Sequence, residues 1–596
     1  MADARSRLRP ASDLDGRRAL ITTEPGCEDR RMIICGVKAS HDGGVALVEN
    51  GRLLASIEVE KIANGRRYSP LGTLARVGEI LRGEGMEPAD VDRFVIDGWG
   101  AGPGVTSPSV DLLDEKGAVS LPVAPYVDGE SVRDPLRRYD FAPVRFGADA
   151  DPMTYVSYHH ASNHIMGSYC TSPFARRRED ALVVVWDGGM GPRAYQVSAA
   201  RRTVEPVAQL FPVVGNIFPA FCAQFEPFRR DTSQMTSREE FISHHLEIAG
   251  KAMAYAALGT ESEDAFEAFD SLFAQFPLIS MDNVFQLGEK AVANRRELFP
   301  GLGNADIVAT FQAYLGRKLQ DALTRLVRSR HPDAPPNLCL GGGCALNIKW
   351  NSGLRASGLF RDIWVPPFPN DSGAAIGTAC CEMFGRSDAV ALDWDVYQGP
   401  MLATSTVPAG WTARSCTESE LGALLHQEGE PVVVLSGRAE LGPRALGNRS
   451  IIAPAVDPRM KELLNDLKGR AAYRPVAPVC LESRAPEVFE PGSPDPFMLF
   501  EHRMRPGWAE RVPAVVHLDG SARLQTVGSG TRSPIVGILT EYARLSGIPV
   551  LCNTSANLNG RGFFPDVRTA AQWGRTRHIW SDGTLYTHPD PDKRAG

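Results

Sequence analysis

The stretch "SYHHASNH", residues 157–164, sets His160 and His164 four apart. On a helix that spacing puts two side chains on one face, with Cβ atoms roughly 5–6 Å apart, so both rings could address one metal ion. Spacing alone suits an ordinary surface or core pair as well. Ala161 stands where the familiar zinc hydrolases carry a glutamate, which removes the general base of that class. Two aspartates lie at element ends elsewhere: "WDGGMG" places Asp187 at the end of an apolar run, and "FPNDSGAAIGTA" places Asp371 before small residues that can open a helix. Each alone reads as a turn or N-cap aspartate. Together with the two imidazoles they form a mixed N/O set suited to Fe(II), Mn(II) or Zn(II).

Other stretches offer different chemistry. In "HDGGVALVENG" a turn carries His41 beside Asp42, either an idle solvated pair or a general base. "GGGCALN" sets Gly341, Gly342 and Gly343 between a buried strand and a helical segment, with Asn347 at the turn's end. Such a loop suits backbone approach to phosphates, although a purely structural turn explains it too. "SGRAELGPRALGNRSIIA" contains Arg438, Arg444 and Arg449, and "LKGRAAYRPVAPV" adds Lys468, Arg470 and Arg474. These cations stand among Gly, Pro and Ala with few acids near them, unlike the alternating signs of a solvated face. Guanidinium forks match phosphate and carboxylate oxygens, so the cluster favours bound anions.

Positioning these groups requires α/β scaffolding. From Met32 the pattern is strand, polar turn, strand, Asn-Gly turn, strand, then the helix "LARVGEILRGEGM" and the strand "DRFVIDGW". "ALVVVWDGGMGPRAYQVSAARRTVEPVAQL" repeats three strands with turns, which predicts a duplicated lobe facing the first. Helices are expected over about 233–330, and a loop near 396–410 precedes a second α/β unit with the helices "ESELGALLHQEG" and "PIVGILTEYARLSG" and the strands "PVVVLSG" and "IPVLCN".

The bulk composition narrows the function classes. With 596 residues the chain is long enough for several cores, and its net charge of −7 with interspersed signs offers nucleic acid no basic stripe. Eleven cysteines, an odd number without C-x-x-C spacing, suit reduced thiols in a cytoplasmic protein. No signal-type apolar segment or membrane-length apolar run occurs, and residues 1–30 read as a disordered extension.

Taken together, "GRAELGPRALGNRS", "YRPVAPV", "ARLQTV", "NTSANLNGRG", "HDGGVALVENG", "HHASNH", "GKAMAYAALG" and "GGGCALN" resemble the ATP-dependent O-carbamoyltransferases of antibiotic tailoring and nodulation-factor modification. The resemblance is collinear over roughly residues 32–580. It implies a duplicated actin/Hsp70-type (Kae1-like) body over 31–400, followed by a YrdC-like α/β domain over 401–590. In the second half it implies that carbamoyl phosphate and ATP, with Mg2+, form carbamoyl adenylate on Arg444, Lys468, Arg474, Arg523 and Ser555. In the body it implies a mononuclear iron, Fe2+, on His160, His164, Asp187 and Asp371. The Gly341–Gly343 turn with Asn347 then cradles nucleotide, and His41 acts as base toward the acceptor hydroxyl.

The implied acceptor is a hydroxylated small molecule, an antibiotic or macrolide-like scaffold, with no nucleic acid and no membrane as partner and a homodimer as the assembly considered. One departure bears on it. "SIEVEKIANGRRYSP" replaces the E-E-E-R-F type of run, which looks closer to the hydroxymethyl cephem carbamoyltransferases and a non-sugar acceptor. Residues 100–150 match no assignable motif and are where acceptor choice is expected. Two other readings use the same residues: threonylcarbamoyl transfer to tRNA, disfavoured by the missing basic stripe, and a non-catalytic ATP- and metal-binding scaffold.

Overall fold

A computed structural model describes residues 31–100, 108–114, 117–127, 134–147, 149–231, 235, 238–588 and 590. The extension 1–30 lies outside the described residues.

Alternating apolar residues at 33–58 fold into three antiparallel strands, Ile33–Lys38, Gly44–Glu49 and Arg52–Glu58. Asn50 and Gly51 make the turn between the second and third, both at positive φ, as an Asn-Gly turn allows. Arg93–Asp97 adds to Ile33–Lys38 in parallel, and Met153–Tyr158 adds to Arg93–Asp97 in parallel. Tyr139–Val144 closes the edge antiparallel. The second sheet repeats this pattern. Ala181–Asp187, Met190–Ser198 and Thr203–Gln209 are antiparallel, and Asn337–Gly341 and Asp362–Trp364 extend them in parallel. Both sheets therefore place their third, second, first and fourth strands in that order, and each adds a further parallel strand beyond the fourth. The expected duplicated actin-type body is present.

Two helices lie between the sheets and touch each other: His160–Cys170 packs on the second sheet, Ala374–Arg386 on the first. Their close approach depends on missing side chains. A Cβ on Gly377 would stand 2.1 Å from the carbonyl oxygen of Asn163. The helices that follow the second sheet, among them Arg238–Tyr255 and Asn304–Arg330, enclose a large aromatic core around Phe221, Phe269 and Phe311.

The C-terminal unit is an eight-stranded mixed sheet. Its strand order is 412–415, 584–587, 578–581, 432–435, 449–454, 550–555, 477–481 and 525–527. Helices Glu418–Glu428 and Ile535–Ser546 pack side by side, the first started by the Thr417/Glu420 capping box and ended by left-handed Gly429. The core around Val433, Ile452, Leu539 and Leu551 belongs to this unit alone. Among the described residues no helix is long and apolar enough to cross a membrane. The ten described cysteines are all free.

Candidate active site

His160 and His164 open the helix His160–Cys170, and their Nε2 atoms lie 3.2 Å apart. Asp187 ends the first strand of the second sheet, while Asp371 sits in the turn before helix Ala374–Arg386. Asp371 Oδ1 lies 3.4 Å from His160 Nε2 and 3.5 Å from His164 Nε2, and Asp187 Oδ2 and Oδ1 lie 3.7 Å from the same two nitrogens. All four residues are buried, with one ligand atom from each lying within 4.8 Å of the others. Four residues from three separate stretches thus converge.

The surroundings fit a metal. Asp97 Oδ2 accepts from His160 Nδ1 at 2.8 Å, which leaves the Nε2 lone pair facing the centre, the usual arrangement behind a ligating histidine. Asp187 accepts from the backbone N–H of Gly343 at 2.7 Å and from the Tyr126 hydroxyl. Burial disfavours charge on His160, yet Asp97 and Asp371 outweigh it and hold the imidazole pKa well above its ordinary range. Burial likewise opposes ionisation of Asp371, but Lys38 and His160 keep its carboxyl well below the usual value. The pocket thus holds anionic carboxylates against the positive charge of Lys38 and His160.

His41 lies at the mouth of this centre. Its Nε2 is 3.6 Å from Asp371 Oδ2, its Nδ1 is 2.9 Å from Asp42 Oδ2, and its ring meets Trp99 edge-on at 5.1 Å. About a fifth of the side chain is exposed, so an outside hydroxyl can reach it.

The glycine turn abuts the same centre. A Cβ on Gly341 would lie 2.7 Å from Ser168 Oγ, and one on Gly342, at φ +86°, would lie 2.4 Å from the carbonyl of Trp186. Close packing behind His164 and Asp187 therefore explains two of the three glycines, and Gly343 supplies the N–H to Asp187. Asn347 caps helix Ile348–Ala356, accepting from the N–H groups of Lys349 and Trp350.

The arginine-rich loop separates into two kinds of residue. Glu440, fully buried, accepts from the N–H groups of Leu446, Asn448 and Arg449 and so shapes the loop from inside. Arg438 pairs with Glu84, and Arg449 donates to the carbonyls of Ser436, Gly437 and Asn448. The three-arginine anion cluster expected from residues 438–449 is therefore corrected: only Arg444 has a buried guanidinium nitrogen, Nη1, without a partner. Its Nη2 reaches across to the carbonyl of Leu346, in the glycine turn of the body.

Arg444 does have cationic company. Arg470 Nε and Arg523 Nε are also buried and unpartnered. Burial, then the like charges of Arg474 and Arg523, lowers Arg470 to about 9, and burial, then Arg474, lowers Arg523 to about 10. Arg444 is pushed well below its ordinary value by burial and then by Arg523. Unpaired buried cations cost free energy that a bound anion would recover. Lys468 reaches the loop that carries Ser555. Its Nζ donates to Ser555 O at 2.7 Å, to Asn557 O at 2.5 Å and to Asn557 Oδ1, which ties down the "NTSAN" loop, while burial and the charges of Arg470, Arg67 and Arg474 push its pKa well below the ordinary range. Ser555 Oγ donates to Asn557 Oδ1 in that loop.

Several residues at the site were not singled out from the sequence: Lys38, Asp97, Tyr126 and Asn163. Lys38 ends the first strand of the first sheet as Asp187 ends the first strand of the second, so the duplication itself was the available signal. Tyr126 comes from the stretch that matched no motif.

Family models place the chain. "Carbamoyltransferase N-terminus" matches residues 33–134 and 147–380, and "Carbamoyltransferase C-terminus" matches 423–579. The chain belongs to the carbamoyltransferase family. Nodulation protein U of Sinorhizobium fredii is 44% identical over 575 residues, covering 94% of this carbamoyltransferase and 99% of that protein. The 3'-hydroxymethylcephem-O-carbamoyltransferase of Amycolatopsis lactamdurans is 31% identical over 553 residues, covering 92% and 97%. Identity thus runs opposite to the expectation drawn from residues 56–70, because one short loop outweighs neither sheet nor core across a whole chain. A ROK family glucokinase from Streptomyces griseus overlaps 58% of the carbamoyltransferase and 98% of its own chain at 15% identity and a TM-score of 0.24. The actin-type description of the body rests on its strand order instead.

Proposed function

We propose that this carbamoyltransferase works in two steps, at two sites that face each other. The carrying observation is Arg444, whose one guanidinium nitrogen waits unpartnered among Arg470 and Arg523 while another contacts the glycine turn beside the metal centre.

In the first step carbamoyl phosphate gives carbamate and phosphate with water, and a carbamate oxygen attacks the α-phosphorus of Mg2+-bound ATP. Carbamoyl adenylate forms and pyrophosphate leaves. Arg444, Arg470, Arg474 and Arg523 bind the phosphates and neutralise charge that grows on the transferring group. Ser555 stands on the loop that Lys468 holds in place. In the second step the acceptor hydroxyl attacks the carbamoyl carbon, the C–O bond to the adenylate breaks and AMP leaves. His41 takes the hydroxyl proton, oriented by Asp42.

His160, His164, Asp187 and Asp371 hold one divalent metal, Fe2+ being the candidate from the family resemblance. A bound cation supplies Lewis-acid polarisation and charge neutralisation at the adenylate. The 43–44% identity to nodulation proteins U, against 31–32% to the cephem enzymes, favours the acceptor class of the former, a sugar hydroxyl in nodulation-factor modification, over a cephem hydroxymethyl group.

Incubation with ATP and carbamoyl phosphate, without acceptor, tests the first step: pyrophosphate release supports it, and none sinks it. Adding a hydroxylated oligosaccharide or a hydroxymethyl cephem in parallel decides the acceptor class by which product carries the carbamoyl group.

A further inference from the structure

Lys38 lies behind the four candidate ligands, 1% exposed, and neither catalytic step uses it directly. Its ammonium contacts Asp97 Oδ2 at 2.8 Å and Asp371 Oδ2 at 2.8 Å, and it lies 4.3 Å from the ring centre of Trp99. Among the described residues it is the only lysine or arginine in ion-pair contact with Asp97, Asp187 or Asp371. Two consequences follow from the geometry. Asp371 Oδ2 is in ion-pair contact with Lys38, without hydrogen-bond geometry, while Oδ1 faces both histidine Nε2 atoms and is the better placed oxygen to ligate. Asp97, the other carboxylate that Lys38 holds, is the one that orients His160.

The charges can then be counted. Ligation requires neutral imidazoles. Asp97, Asp187 and Asp371 contribute three negative charges and Lys38 returns one, which leaves −2 around the centre. A divalent ion neutralises that sum; a trivalent ion leaves a buried positive charge.

We infer that Lys38 is a positioning residue whose fixed charge makes the His160/His164/Asp187/Asp371 centre selective for a divalent over a trivalent ion and keeps Asp371 a one-oxygen ligand. The inference rests on the metal reading above. Without the ammonium the surroundings carry −3, Asp371 Oδ2 is released toward the ion, and both changes favour the higher oxidation state.

The experiment uses the full chain loaded anaerobically with ferrous iron, its midpoint potential then followed by electron paramagnetic resonance against redox mediators. Lys38→Gln and Lys38→Met, with folding checked by circular dichroism, raise the ferric-to-ferrous affinity ratio at least tenfold, a downward shift of about 59 mV for a one-electron couple. Lys38→Arg, which keeps the charge, stays near the parent. Asp97→Asn is nearly isosteric and removes a negative charge from the same pair, so it shifts the potential upward by a similar factor; it decides the matter should the Lys38 variants not fold. A parent chain that takes up no iron overturns the metal reading and this inference together. An iron-loaded parent whose potential is unmoved in the neutral Lys38 variants, or in Asp97→Asn where those do not fold, overturns this inference alone. So does Lys38→Arg falling as far as Lys38→Met, which would assign the effect to shape rather than charge.

Discussion

Arg444, in the arginine-rich loop, and Arg449, which opens the strand after it, stand five residues apart and carry opposite energetic signs. Arg449 is a fully buried cation with three carbonyl partners, so Arg449→Met strands those acceptors and lowers stability by about 3 kcal/mol or more, since charged hydrogen bonds contribute roughly 1.5–3 kcal/mol each. Arg444 is largely desolvated and lacks a partner at Nη1, so Arg444→Met leaves the thermal midpoint unchanged or higher while pyrophosphate release is lost. Thermal unfolding and pyrophosphate assays on the two variants side by side check this; a matching fall in stability for both would refute the division. His41 separates the two chemical steps in the same manner. His41→Ala removes a proton acceptor 3.6 Å from Asp371 but touches none of the arginines, so carbamoyl transfer falls about 10²–10⁴-fold and pyrophosphate release persists. Parent-rate transfer by that variant would make His41 an ordinary turn residue.

At the scale of elements, the candidate metal ligands Asp187 and His164 are held by backbone approaches that tolerate no side chain. The turn at Gly342 has φ +86° and ψ 161°, a region essentially restricted to glycine, and a Cβ there would meet the Trp186 carbonyl at 2.4 Å, next to Asp187. Gly342→Ala therefore costs about 1–3 kcal/mol in backbone strain before any clash is counted. It also displaces the Gly343 N–H from Asp187, so bound metal measured by elemental analysis falls along with the thermal midpoint. Helix His160–Cys170 is likewise approached closely by Gly341 and Gly377, while its i,i+4 spacing alone sets His160 and His164 on one face. His164→Ala leaves that helix intact, because alanine is a good helix former, and removes one ligand of four. Metal content collapses while pyrophosphate release survives; full occupancy in the variant would remove His164 from the ligand set.

Across the whole molecule, the two halves are joined by buried and half-buried ionic clasps. Lys61 in the body donates to Glu58 and to the carbonyls of Glu440 and Gly442, while the Gly442 N–H donates to Glu58. Lys349, on the helix that follows the glycine turn, pairs with Asp519 at 2.5 Å and with Glu501. Burial alone would raise the Asp519 carboxyl, but the contact with His517 and the Lys349 charge depress it far below the usual carboxylate range. A depressed carboxylate contributes stability that is complete above its unfolded value of about 3.9 and is lost as pH falls below that value. The thermal midpoint of the parent should thus fall between pH 5 and pH 3. Lys349→Met should start lower at pH 6 and lose less over that acid range, because the Asp519 carboxyl then titrates closer to its unfolded value. Equal acid slopes for the two proteins would show that the clasp is not linked to the acid limb.

The duplicated strands, the His160/His164 pair, the C-terminal α/β elements and the family motifs were legible in the order of residues, because each depends on local periodicity, turn chemistry or short spacings. Asp187 and Asp371 could be named as element-end aspartates able to join the two imidazoles in a mixed N/O set, but their assignment to one metal came only through the resemblance, since 184 positions separate them and nothing local joins them. Tertiary structure decided the rest. Arg438 and Arg449 looked like Arg444 in sequence, yet partners distant in the chain or buried in the loop consume their donors, and Lys468 is consumed likewise by the loop around Ser555. Lys38, Asp97 and Tyr126 escaped notice for the complementary reason. A single charged or phenolic residue closing an apolar run is unremarkable along the chain. It becomes part of a site only when two sheets bring their strand ends together around the ends of two packed helices, which no linear pattern encodes.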